Sequence, residues 1–198
     1  MNQQDFNTPQ YWDETYKAEY ETKQTRADLP RFMMILGHIK DNSKVLDFGC
    51  GPGDFLQWLK AQKPSVECTG VDMSLEAIKI ARERCPENKY IARTDINFRN
   101  VFDVITMQHV LEHVPNPDFY IEQAYNCLDE QGFLILVLPM YDKPWREHLK
   151  IWTLDFLKLF MKQQKKWRWI MIHRPSTAFS HADGQTAEEA LVICRKVA

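Results

Sequence analysis

Val45-Leu46-Asp47-Phe48-Gly49-Cys50-Gly51-Pro52-Gly53-Asp54 is the stretch whose reading decides the fold. Lys44 to Phe48 reads as a short buried strand. Asp54 to Gln62, with Phe55, Leu56 and Leu59 inward, reads as a helix. Three glycines between them let the backbone turn tightly and approach a ligand, and the helix that follows points its N-terminus at that ligand. Nineteen residues past Gly53, at the end of a second strand (Cys68 to Asp72), stands Asp72. A carboxylate in that place accepts hydrogen bonds from both ribose hydroxyls of a nucleoside. Strand, loop, helix, strand and acid at these offsets imply a nucleoside-containing cofactor. Two features point away from NAD. The spacing is Gly-x-Gly-x-Gly rather than Gly-x-Gly-x-x-Gly, and Asp47 at the strand end would repel a pyrophosphate but attract an ammonium or a sulfonium.

Outward from this stretch the alternation continues. Ser74 caps a helix over 75–84, with Glu76 in its positive first turn. Lys89 to Ala92 is a weak third strand and Phe102 to Met107 a fourth. Asn116 and Pro117 open a helix carrying Ile121, Ala124 and Leu128 on one face, and Phe133 to Leu138 has the continuous apolar look of a strand buried on both sides. Strands and helices in this order imply a parallel sheet with right-handed crossovers. The tail differs. Thr153 caps a helix to about Gln163, then Trp167 to His173 and Glu189 to Lys196 read as two strands joined by a connector, Arg174 to Glu188. An antiparallel hairpin at the sheet edge is the simplest arrangement. The expected fold is therefore α/β, a Rossmann-like doubly wound seven-stranded sheet, mostly parallel with an antiparallel C-terminal hairpin strand. Residues 1–28 are polar with interspersed aromatics and read as an N-terminal helical arm or lid, and 29–198 as the main domain. Pro30 starts a helix with Phe32, Ile35, Leu36 and Ile39 facing the core.

The chain has 198 residues, a single domain's length, and a net charge of −2, which argues against a dedicated duplex-DNA binder. Its five cysteines (Cys50, Cys68, Cys85, Cys127, Cys194) are odd in number and widely spaced, and read as reduced thiols of a cytoplasmic protein rather than a disulfide frame or a zinc site. No metal-ligand set is expected. The N-terminus lacks the basic and apolar regions of a signal peptide, and the longest apolar run, Phe133 to Pro139, is too short to span a bilayer.

Asp47-Phe48-Gly49-Cys50-Gly51-Pro52-Gly53 resembles motif I of class I S-adenosylmethionine-dependent methyltransferases. Gly70-Val71-Asp72-Met73-Ser74 resembles the end of their second strand. Gln108-His109-Val110-Leu111-Glu112-His113-Val114-Pro115 resembles the stretch after strand four in the small-molecule, quinone-biosynthesis-like branch, and Gly132-Phe133-Leu134 the start of strand five, with Gln131 in place of a first glycine. The resemblance covers residues 30–140 well and the flanks by topology. It implies an enzyme that transfers a methyl group from S-adenosylmethionine, leaving S-adenosylhomocysteine, to a small molecule it does not identify. It places Gly49, Cys50 (by its backbone), Gly51 and Gly53 along the methionine part, Asp47 near its ammonium, Asp72 on the ribose, Met73 against the adenine, Asp95 on the adenine amine between Thr94 and Ile96, and Gln108 and His109 beneath the sulfonium. A nicotinamide-dependent oxidoreductase and a non-catalytic module that keeps the fold are the alternatives.

Methyl transfer from a sulfonium is an in-line displacement by an acceptor, so alignment matters most and a base is needed only if the acceptor must lose a proton. The candidates are His113, His109, Tyr141 and His148, each with a packing or surface role as the competing explanation. Tyr11, Trp12 and Tyr16 resemble the aromatic start that covers the pocket in many relatives. Met140, Tyr141, Trp145 and Trp152 are candidates to line an acceptor pocket, with burial in the core as the ordinary fate of such residues. The basic-aromatic stretch over 162–169 (Lys162, Lys165, Lys166, Trp167, Arg168, Trp169) invites a membrane-surface reading, against the simpler one of a solvated helix end leading into a strand. No nucleic-acid partner is expected, since Thr106-Met107-Gln108-His109 stands where amino-methylating DNA enzymes carry an Asp/Asn-Pro-Pro-Tyr tetrad.

Overall fold

The computed structural model describes residues 6–21, 29–99, 101–140, 148–180 and 186–197. The elements run α1 (Pro9–Glu21), α2 (Leu29–Leu36), β1 (Lys44–Phe48), α3 (Asp54–Gln62), β2 (Glu67–Asp72), α4 (Leu75–Arg84) and β3 (Lys89–Ala92). Then come β4 (Phe102–Gln108), α5 (Pro117–Cys127), β5 (Leu128–Met140), α6 (Leu154–Gln163), β6 (Trp167–Ser180) and β7 (Thr186–Lys196). The seven strands form one sheet in the order β3-β2-β1-β4-β5-β7-β6. The first five strands are mutually parallel, and β7 pairs antiparallel with both β5 and β6.

The period of two along each strand sorts the apolar side chains between two cores. Val45, Val104, Ile135, Val137, Leu191 and Ile193 meet α2, α3 and α4 on one face of the sheet. Leu46, Ile105, Leu134, Leu136, Val192 and Cys194 meet α5 and α6 on the other. The inner strands β1, β4, β5 and β7 thus bury both faces, which explains why β5 reads as an unbroken apolar run. The helix starts follow their caps: the side chains of Ser74, Asn116 and Thr153 accept from the backbone N–H groups of Ala77, Phe119 and Phe156.

Two expectations need correction. Arg174 to Glu188 is not simply a connector: β6 extends to Ser180 and β7 starts at Thr186, because Arg174 and Pro175 still pair with Glu189 and Glu188 before the register shifts. Proline is tolerated there because β6 is the edge strand, with one side of its backbone needing no partner. β5 begins at Leu128 rather than Phe133, since Leu128 pairs with Phe102 and the following shift is absorbed where Gln131 takes a φ of 67°. Among the described residues no helix is long and apolar enough to cross a membrane.

The chain order reverses between β1 and β4. In open α/β sheets the crevice at the carboxyl ends of two such strands is the natural ligand site. The glycine loop leaves β1 at that point, and Gln108 and His109 leave β4 beside it.

Candidate cofactor and acceptor site

The loop after β1 is held to its neighbour by its own backbone. Gly49 N–H and Cys50 N–H both donate to the carbonyl of Val71, at 2.7 and 3.0 Å. Gly49 has a φ of +76°, and a Cβ there would collide with Val110 Cγ2. Both facts demand glycine. Gly49→Ala is expected to lower stability by about 1–3 kcal/mol, read as a lower urea midpoint with an unchanged slope. Gly51 and Gly53 also take positive φ, 51° and 81°. The Cys50 side chain turns inward beside Gly70, where burial pushes its thiol well above the ordinary range, so only its backbone faces the crevice.

Asp72 is oriented by two backbone donors, Gly51 N–H to Oδ2 at 2.9 Å and Ser74 N–H to Oδ1 at 2.9 Å. Asp47 is buried at the end of β1. Its Oδ1 accepts from Thr106 Oγ1 at 2.6 Å and from Gln108 Nε2 at 3.5 Å. Burial pushes its carboxyl up to about 7, against the lowering effect of those two bonds. Beside it the buried Oε1 of Gln108 has no hydrogen-bond partner. A buried carboxylate and an orphaned acceptor together are the complement of a cationic donor such as an ammonium.

The residues after β3 are less tightly gathered. Asp95 Oδ1 accepts from Arg93 Nε at 2.7 Å, Thr94 is exposed, Met73 is half-buried, and Ile96 belongs to the core with its N–H on Gln123 Oε1 at 3.0 Å. Ile96 therefore packs inward as much as toward any ring.

His109 carries the largest surprise. It takes a left-handed φ of 55°. Its Nε2 lies 2.9 Å from Glu189 Oε1 and its Nδ1 3.3 Å from Glu112 Oε1. Arg31 Nη1 donates to the same Glu189 oxygen at 3.0 Å. Desolvation lowers the His109 pKa, but the bonds to Glu112 and Glu189 outweigh it, and the net shift is upward. Glu112 is shifted downward, its neighbouring histidines outweighing its burial. An imidazole that holds its proton between two carboxylates is a poor general base. Sequence reading passed over Arg31, Glu112 and Glu189. A charged residue inside the apolar runs Leu29–Leu36 and Glu189–Cys194 was the available signal.

His113 stands at the edge of this cluster, its Nε2 3.9 Å from Glu112 Oε1. Its ring meets Trp12 edge-on at 5.2 Å and His148 at 4.9 Å. α1 is anchored over the same end of the sheet. Asp13 Oδ1 accepts from Ser74 Oγ at 2.5 Å and from Glu76 N–H at 3.0 Å, and Tyr16 lies where a Cβ on Gly51 would meet its hydroxyl at 3.0 Å. Tyr141 and Trp145 lie outside the described residues. Trp152 is buried against Phe156 and Phe160, a core position rather than a pocket wall. In the basic-aromatic stretch, Lys166 pairs with Glu122 at 2.7 Å and Trp167 is buried against Tyr125, as a helix end running into a strand requires.

The sequence pattern of a known domain family, described as a methyltransferase domain, matches residues 16–174. The chain belongs to the methyltransferase-domain family. A trans-aconitate 2-methyltransferase of Rhodopseudomonas palustris is 27% identical over 154 residues, 70% of this chain and 59% of that one. A ubiquinone biosynthesis O-methyltransferase of Glaesserella parasuis is 34% identical over 105 residues, 47% of this chain and 44% of that one. This methyltransferase-domain chain thus spans less than two thirds of the length of these relatives. The solved phosphoethanolamine N-methyltransferase 2 of Haemonchus contortus, in complex with S-adenosyl-L-methionine, superposes with a TM-score of 0.76 at 15% identity. That match covers 100% of this chain and 60% of the other, and it shows a shared methyltransferase fold.

Proposed function

We propose that this chain is an S-adenosylmethionine-dependent methyltransferase acting on a small-molecule acceptor in the cytoplasm. The observation that carries the reading is the pairing of buried Asp47 with the unpartnered Gln108 Oε1, beside an Asp72 already aimed by two backbone N–H groups. S-adenosylmethionine, when bound, supplies an activated methyl group on a sulfonium. Asp47 and the Gln108 carbonyl would accept from its ammonium, Asp72 would accept from its ribose hydroxyls, and the backbone of Gly49, Cys50, Gly51 and Gly53 would line the part between them. Met73, Thr94, Asp95 and Ile96 form the adenine side. The arm over residues 1–28 serves as a lid, with α1 holding Trp12 and Tyr16 over the loop and excluding water. Such alignment contributes up to ~7–11 kcal/mol of barrier lowering, which is why no activated nucleophile is required. His109, held between two carboxylates, is not placed to take a proton from an acceptor. The nicotinamide reading is disfavoured by Asp47, whose carboxylate would repel a pyrophosphate bound at the glycine loop.

Calorimetric titration with S-adenosylhomocysteine, with NADH as the control ligand, tests this on the wild type and on Asp72→Ala. Micromolar binding of the first ligand alone is expected. Losing two hydrogen bonds to a charged acceptor, at about 1.5–3 kcal/mol each, should weaken it by roughly 100-fold or more in the variant. Equal binding by both proteins, or none by either, overturns the assignment.

A further inference from the structure

Glu112, His113 and His148 each offer a ligand atom, and these atoms all lie within 4.8 Å of one another. Glu112 is fully buried, and its Oε2 makes no hydrogen bond. Its Oε1 is 3.9 Å from His113 Nε2. The backbone holds the set together: Leu149 N–H and Lys150 N–H both donate to the Glu112 carbonyl, at 2.7 and 3.1 Å, which brings His148 back onto the turn after β4.

We propose that Glu112, His113 and His148 bind one four- or five-coordinate divalent cation of the zinc or cobalt(II) class at the junction of the α1 arm and the turn after β4. Two imidazoles and one carboxylate are the donor set those ions prefer, whereas magnesium and calcium prefer all-oxygen ligands. Bonds of about 2.1 Å in a tetrahedral arrangement put ligand atoms roughly 3.4 Å apart, so side-chain rotation of an ångström or so completes the site. The buried carboxylate lies close to three histidines, His109 among them at 3.3 Å. Three protein ligands leave a coordination position open, at the same end of the sheet as the glycine loop. Resting on the methyltransferase reading, that position suits an acceptor that presents a hydroxyl or carboxylate oxygen to the cation.

The test is titration of the full chain, stripped with chelator, with zinc chloride by calorimetry and with cobalt(II) by visible absorption. One equivalent should bind with micromolar or tighter affinity. Cobalt should give the intense visible bands of a four- or five-coordinate site. His148→Ala and Glu112→Gln should each weaken zinc binding at least tenfold. His148→Ala is the variant to trust if Glu112→Gln fails to fold, since His148 is only half-buried. Absence of saturable binding, six-coordinate cobalt spectra, or equal affinity in wild type and His148→Ala overturns the proposal. S-adenosylhomocysteine binding measured on the same samples separates the two readings. A chain that binds the nucleoside but no metal loses only this site, and one that binds metal but not the nucleoside loses only the methyltransferase assignment.

Discussion

Arg31→Met should destabilise the protein by about 3–5 kcal/mol, the range for removing one partner of a buried ion pair. Arg31 and Glu189 are 5% and 1% exposed at their side chains and meet at 3.0 Å. The arginine belongs to α2 and the glutamate to β7, 158 residues apart, so the pair ties the first helix of the domain to the last strand of the sheet. Removing the guanidinium takes a direct partner from Glu189, which keeps His109 Nε2 at 2.9 Å. In a chain of this size about 2–4 °C of melting temperature accompany each kcal/mol, so a fall of roughly 6–20 °C is expected. Replacing both members, Arg31→Met with Glu189→Leu, should recover much of the loss, because an apolar pair in the same space carries no stranded charge. A thermal scan of the four proteins completes the cycle. If the double variant is as unstable as the sum of the singles, the pair is not the reason.

The second large effect is on ligand binding as a function of pH. Burial holds Asp47 protonated up to about pH 7, and an ammonium ligand needs it ionised. Binding must therefore release a proton from Asp47 below that pH. S-adenosylhomocysteine affinity is expected to fall roughly tenfold for each pH unit below 7, reaching about 100-fold weaker at pH 5 than at pH 8. Asp47→Asn should bind weakly and with little pH dependence. The ligand-free protein follows the opposite sense. A carboxyl whose folded pKa is raised contributes stability that is complete below its unfolded value of 3.8 and is lost as pH rises through about 7. Asp47→Asn should then be more stable than wild type at pH 8. Calorimetry in buffers of different ionisation enthalpy reads the proton release directly. Affinity that is flat from pH 5 to pH 8 would show that Asp47 is not facing the ligand's charge.

Much of this architecture was legible before any coordinates. The strand Lys44–Phe48, the helices Asp54–Gln62 and Leu75–Arg84 and the weak strand Lys89–Ala92 begin and end where their apolar periods and caps say, because those signals are local. Asp47, the three glycines and Asp72 were readable for the same reason: a turn between adjacent elements keeps its parts close in sequence.

The arrangement around His109 was not legible. Arg31, His109, Glu112 and Glu189 come from α2, the turn after β4 and the sheet's edge-proximal strand, and only the sheet order β1-β4-β5-β7 brings them together. Likewise His148 joins Glu112 and His113 only because the backbone at Leu149 and Lys150 folds back onto Glu112. Sequence alone thus determined the α/β alternation, the glycine loop and the two carboxylates beside it, all set by short-range periodicity and backbone chemistry. Tertiary structure alone decided which histidine is locked between carboxylates and which is left beside the arm. Charge pairing in a low-dielectric interior depends on distances of a few ångströms between residues that the chain itself holds far apart.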